Sequence, residues 1–159
     1  MVMDQGGAAC GSVAAGPAVR VSVETVLLTS RAGRLYFRIR AGALGDRPAR
    51  SGPAARLLHS TSWRFTAEGL VLTYAAVPDP RPDLPAAPVP TRPLPRSDDS
   101  LAPSPTGIGP AEAAAHACRH LAYLRHTDPV VAGCAASAPA LWRLIDAFTP
   151  TVAGLLPGP

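Results

Sequence analysis

The chain has 159 residues, of which 19 are Pro and 14 are Gly, so about a fifth interrupt regular structure rather than extend it. Ile, Leu, Val and Phe together make up about 22% of the chain, enough for one modest core and not for two. The net charge is +4 but unevenly placed: residues 31–64 carry eight Arg against Asp46 alone, giving +7, while the remainder sums to −3.

Lys and Asn are absent and 30 residues are Ala, the mark of GC-rich coding, so Arg richness is weaker evidence of binding than it would be elsewhere. Three cysteines, Cys10, Cys118 and Cys134, are odd in number and lack CxxC spacing, which argues against a disulfide framework and fits reduced thiols in a cytosol. Residues 1–18 hold no cation and no apolar run of the kind a signal peptide needs, and no segment reaches membrane-spanning length. A cytoplasmic chain with no membrane partner is the expectation.

The predicted organisation is a flexible leader over 1–18, one α+β domain over 19–149, and a Pro/Gly-rich tail over 150–159. Within the domain, residues 19–28 alternate Val19, Val21 and Val23 against Arg20, Ser22 and Glu24, the period of a half-buried strand. A turn at Arg31-Ala32-Gly33 leads into residues 34–40, with Leu35, Phe37 and Ile39 on one face and Arg34, Tyr36, Arg38 and Arg40 on the other. Residues 41–56 lack periodicity and read as a long loop.

A second hairpin follows. Leu57, His59, Thr61, Trp63 and Phe65 share one side of its first strand, and Leu70, Leu72, Tyr74 and Ala76 one side of its second, with Gly69 closing a short loop over Thr66 to Gly69. Pairing Phe65 with Leu70, Trp63 with Leu72 and Thr61 with Tyr74 makes that side a candidate core. Residues 78–110 contain 11 Pro and read as a linker or lid, with Asp98-Asp99-Ser100 and Ser104 as its polar cluster.

Three helices complete the domain over 111–149. The first starts after Pro110 and runs to His126, with Ala114, Ala117, Leu121 and Leu124 on one side and Glu112, His116, Arg119 and Tyr123 opposite. Asp128 caps a second that begins at Pro129, and Ser137 caps a third over 138–148 with a Leu141, Leu144, Ile145 and Phe148 stripe. Strands first and helices second predict a four-stranded antiparallel sheet, two hairpins, covered on one face by helices.

The segments LHSTSWRF-TAEG-LVLTYAAVP (57–78) and RHLAYLRHTDPVV (119–131) resemble stretches of short proteins from high-GC actinobacteria. No activity is assigned to that group, so the resemblance implies no site, cofactor or partner.

Several chemistries find no complete residue set. GxSxG, GxxxxGK[ST] and a strand-borne GxGxxG are missing, and His59 and Ser60, as strand neighbours, point to opposite faces. Cys118 lies far around the helix from His116 and His120 and reads as an inert buried thiol. Glu24 and Glu68 stand isolated in sequence. The closest approach to a metal site is Glu112, His116 and His120 at i, i+4, i+8, with His126 or His59 to complete the sphere; a solvated helix face explains the same residues.

The arginine-rich strand is the strongest positive feature. Arg34, Arg38 and Arg40 project beside Tyr36, flanked by Arg47, Arg50, Arg56 and Arg64, a cationic surface with an aromatic platform for phosphates or an unstacked base. The favoured expectation is therefore a non-catalytic binding module with no cofactor, contacting an anionic ligand, nucleic acid or protein through Arg34, Tyr36, Arg38, Arg40 and Arg64. An enzyme using His116 and His120, and a scaffold bound through the proline-rich segment, are the alternatives. The favoured reading needs the arginine side of the sheet to face water; guanidinium groups beneath the helices, or three imidazoles drawn together round an enclosed cavity, would count for the enzyme.

Overall fold

The computed structural model describes residues 20–43, 57–95, 97, 105 and 107–151. The expectations for the leader, for Arg47, Arg50 and Arg56, for Asp98-Asp99-Ser100 and Ser104, and for residues beyond 151 lie outside the described residues.

Strands β1 (Val21–Arg31) and β2 (Arg34–Ala43) form the first hairpin, joined by Ala32 and Gly33 at φ 47° and 72°, the two positive values of a tight turn that follows the strand twist. Strands β3 (Leu57–Thr66) and β4 (Gly69–Val77) form the second. Gly69 has φ 132°, and a Cβ there would stand 2.1 Å from the Arg20 carbonyl oxygen, so no other residue fits. Its neighbour Leu70 donates to that same carbonyl at 2.8 Å.

The hairpins join through a parallel β1–β4 pair, in which Val26 faces Ala75 and Thr25 faces Tyr74. A fifth strand, β5 (Ala87–Pro88), pairs with the outer edge of β2, giving the order β3-β4-β1-β2-β5. The fold is thus α+β as expected, but its sheet is mixed and five-stranded rather than four-stranded and antiparallel. The cause is in β1. Val26, Leu27 and Leu28 are all completely buried, so this strand is apolar on both faces and takes the centre of the sheet instead of an edge.

Helices α1 (Pro110–Thr127), α2 (Pro129–Ala136) and α3 (Pro139–Ile145) lie on one face, α1 across β3 and β4 and α3 across β1 and β2. The alanines of α1 let it sit close to the sheet: Ala113, Ala114, Ala115, Ala117, Cys118, Leu121 and Ala122 are all buried. Its buried surface therefore runs round most of the helix, wider than the predicted stripe. Asp128 caps α2 as expected, accepting from Val130 N at 2.7 Å and Val131 N at 3.2 Å. Ser137 does not cap α3; it ends α2 and donates its hydroxyl to the Cys134 carbonyl at 2.7 Å. Trp142 is the largest fully buried side chain and fills the core with Leu141, Ile145 and Phe148.

The second hairpin departs from strict alternation. Phe65 pairs with Leu70 and Trp63 with Leu72 as expected, but Tyr74 pairs with Ser60, because a bulge between Ser60 and Ser62 inserts Thr61 as an extra residue. Directly opposed residues share a face. His59 therefore faces the helices with Ala75, whereas beyond the bulge Ser62 and Arg64 take that side and Trp63 and Phe65 are turned out. Trp63 is 50% and Phe65 68% exposed, which overturns their assignment to the core. In exchange, Arg64 comes to lie beside Glu24, whose carboxylate would otherwise be buried without a counterion.

Candidate functional site

The sheet has a helix-covered face and a more open one, exposed at Trp63, Phe65, Arg34 and Arg40 but buried at its centre at Thr25, Leu27 and Ala76. The register puts Tyr36, Arg38 and Arg40 on the open face, opposite Thr29, Leu27 and Thr25 of β1. Arg34 and Arg40 are exposed there. Arg38 is not available: its Nε and Nη2 reach the two Asp79 carboxylate oxygens at 2.6 Å each, with the Asp79 side chain 1% exposed. Asp79 is held in turn by its own N–H to the Leu28 carbonyl at 2.7 Å and by Arg81 N at 2.9 Å. Tyr36 carries the Arg31 guanidinium 5.8 Å above its ring, while Arg31 donates to the Pro82 and Leu84 carbonyls.

Arg64 is on the other face. It forms a two-pronged pair with Glu24, with Nη2 to Oε2 at 2.9 Å, and its Nη1 reaches the Thr73 hydroxyl at 3.2 Å. Thr73 donates to Glu24 at 2.7 Å. Burial by itself would raise the Glu24 carboxyl; the hydrogen bonds from Arg64 and Thr73 and the Arg64 charge outweigh it and hold the group below its ordinary value. Of the five residues expected to meet a ligand, the structure thus leaves Arg34 and Arg40 exposed, shares Tyr36 with Arg31, and commits Arg38 and Arg64 to internal carboxylates.

What shares the open face with those arginines is apolar. Trp63 and Phe65 meet edge to face with centroids 5.8 Å apart, and Leu70, Leu72 and Tyr74 beside them on β4 are half-buried.

The helix-covered face gathers three imidazoles. His116 and His120, one turn apart on α1, have nearly parallel rings with centroids 6.4 Å apart, and His59 of β3 is 5.7 Å from His120. The His59 Nδ1 lies 2.6 Å from the Ser60 carbonyl; a carbonyl only accepts, so Nδ1 carries a proton. The backbone of Thr61, the bulged residue, hydrogen-bonds the His116 ring. Nε2 of His116 and Nδ1 of His120 are buried with no hydrogen-bond partner.

Burial, then the charge of Arg119, pushes the His116 pKa below its ordinary value despite the Thr61 bond. Burial, with His116 and His59 alongside, brings His120 down to about 4. Both rings are neutral at pH 7. Glu112 is not with them: it pairs with Arg92 and accepts from Gly109 N at 3.2 Å, closing the start of α1. His126 is exposed at the far end of the helix. As the side chains stand, no three His, Cys, Asp or Glu among the described residues are placed to hold a metal ion. Cys118 is fully buried, and its pKa is strongly raised by that burial, an inert thiol.

Sequence reasoning missed Glu24, Asp79 and Arg119. Glu24 had a readable signal: it shares parity with Val26 and Leu28, so it points into the same core and requires a cation. No helix among the described residues is long and apolar enough to cross a membrane. Comparison with family models, curated proteins and solved structures finds no match.

Proposed function

We propose that this protein is a binding module whose open sheet face takes a single-stranded nucleic acid, with bases on Trp63, Phe65 and Tyr74 and phosphates on Arg34 and Arg40. The observation that carries the reading is the outward-facing aromatic pair, 50% and 68% exposed on a sheet whose other face is sealed by helices. Exposed aromatic rings on a strand stack on bases of any sequence, because every base offers a π-face. Their cost in water is met by a ligand or partner, since contiguous exposed apolar surface of this kind is uncommon without one.

The arginines suit the other half of such a ligand. Across the sheet, the Ser60–Tyr74–Thr25–Arg40 row lies next to the Trp63–Leu72–Val23–Gly42 row, so Arg40 stands three strand spacings, about 14 Å, from the β3 aromatics. A chain crossing the strands would meet rings first and guanidinium last. Arg38 and Arg64 have no part in it.

The test is a titration of the full chain with labelled oligo-dT across a salt series, with oligo-dA and heparin in parallel. Two phosphate contacts predict a slope of log K against log salt of about −1.4. Trp63→Ser with Phe65→Ser abolishes binding, Arg34→Ala with Arg40→Ala flattens the salt slope, and Arg64→Ala is uninformative because it breaks an internal pair. No binding to any oligonucleotide, or binding to heparin alone that ignores the aromatic changes, would refute the reading.

A further inference from the structure

We infer that His59, His116 and His120 form a binding site for a first-row divalent metal ion of the zinc type, held by three imidazole nitrogens on the helix-covered face. The geometry begins with α1, where i, i+4 spacing sets the His116 and His120 rings one above the other and nearly parallel. The strand then supplies the third ring from outside the helix, His59, 5.7 Å from His120. Two elements fixed by the core thus converge on one seam, a firmer foundation for a ligand set than a loop.

The hydrogen bonds are those a metal-ligating histidine needs. Such a ring gives its other N–H to a carbonyl or carboxylate, which sets its orientation and leaves the second nitrogen as donor to the ion. His59 does this through Nδ1 to the Ser60 carbonyl, and the His116 ring donates to the Thr61 backbone. The β3 bulge that turns Trp63 outward is also what leaves Thr61 out of the strand register, beside α1. Meanwhile His116 Nε2 and His120 Nδ1 are buried without any partner, a standing cost that a bound cation removes.

The rings as they stand are too wide to grip an ion. Imidazoles sharing a tetrahedral zinc at about 2.1 Å have centroids a little over ~5 Å apart, so binding an ion requires the His59–His120 and His116–His120 separations of 5.7 and 6.4 Å to close by up to roughly 1 Å and the nearly parallel His116 and His120 rings to turn towards it. Borderline ions that favour imidazole are the fitting class. Three protein donors leave a four-coordinate ion one further position. Arg119, the charged group beside His116, disfavours a bare cation and favours an anion in that position. Glu112 takes no part, held as it is by Arg92 and the helix start.

The test uses the full chain, stripped with chelator, and zinc as the probe. Calorimetry with a competing chelator should give one equivalent of zinc. In the unsubstituted protein, the ring-proton resonances of His59, His116 and His120 should shift together while His126 stays in place, a readout that needs no variant to fold. His120→Gln and His59→Gln should each weaken zinc by more than the roughly 10–100-fold that loss of an outer-shell partner costs, and His126→Ala should leave it unchanged. The absence of a stoichiometric equivalent, shifts at His126 instead of the three rings, or affinity retained in both glutamine variants with intact thermal melts would each overturn the assignment.

Discussion

The two faces of the sheet treat polar and apolar groups in opposite ways. On the helix-covered face a carboxylate and a guanidinium are paired out of water with Thr73 between them, and two half-buried imidazoles are neutral. On the open face a tryptophan and a phenylalanine stand in water while Arg38 is tied down by Asp79. Charge is tolerated inside where a counter-charge meets it, and Trp63 and Phe65 stand outside where a strand has been turned over. The bulge at Thr61 makes the exchange, since it moves Arg64 in and Trp63 and Phe65 out in one step.

The largest expected effect is on the buried pair. Glu24→Ala leaves the Arg64 charge without its partner on the helix side and should cost about 3–5 kcal/mol in urea unfolding. Replacing both, Glu24→Leu with Arg64→Leu, should recover most of that loss, because well-packed apolar side chains of similar volume replace buried ion pairs at little cost. A double variant as unstable as the single one would mean that the pair holds the bulge in place and not merely itself. Next is the point where the hairpins meet: Gly69→Ala forces a Cβ to within 2.1 Å of the Arg20 carbonyl at φ 132°. The expected cost is about 2–3 kcal/mol, since side chains do not adopt that backbone and the neighbour is main chain.

Acid should act first through the covered face. His120, brought down to about 4 in the fold chiefly by burial, returns to about 6.5 in the unfolded chain. Below pH 6.5 the unfolded chain takes up a proton that the folded one refuses. Stability is therefore complete above about pH 6.5 and falls as pH drops towards 4, and the lowered pKa of His116 acts in the same direction. Glu24, held below its ordinary value, adds a further loss only beneath about pH 4.5. Urea midpoints at pH 7.5, 5.5 and 4.5 in chelator measure the first step, and His120→Gln should shrink it. A wild-type midpoint that does not move between pH 7.5 and 5.5 would show that the imidazoles are as well solvated in the fold as out of it.

How much of this the sequence disclosed depends on whether the signal was local. The first hairpin was legible because Leu35, Phe37 and Ile39 alternate cleanly with Arg34, Tyr36, Arg38 and Arg40, and α1 and α2 because Pro110 and Asp128-Pro129 punctuate them. The central position of β1 was legible in principle from the unbroken Val26-Leu27-Leu28 run, which an edge strand would not carry. The bulge was not. Alternation continues in the residues from Leu57 to Phe65, and only the pairing of Glu24 with Arg64, 40 positions apart, reveals that the strand has changed sides. The imidazole cluster was half visible: the i, i+4 pair could be read, but choosing His59 over Glu112 as the third member required knowing that α1 lies on β3.

The smallest effect on stability, and the sharpest separation of the two faces, belongs to Trp63. As an exposed ring it has little to lose on truncation beyond its edge-to-face contact with Phe65, so Trp63→Ser should change the unfolding free energy by about 1 kcal/mol or less. The chain has one other tryptophan, Trp142, which is 1% exposed, so fluorescence divides cleanly between the faces. Acrylamide should quench a component that vanishes in Trp63→Ser, leaving the Trp142 emission shielded. A loss of several kcal/mol in that variant would mean that Trp63 is covered in solution, and the open face would then be a buried interface rather than a surface awaiting its ligand.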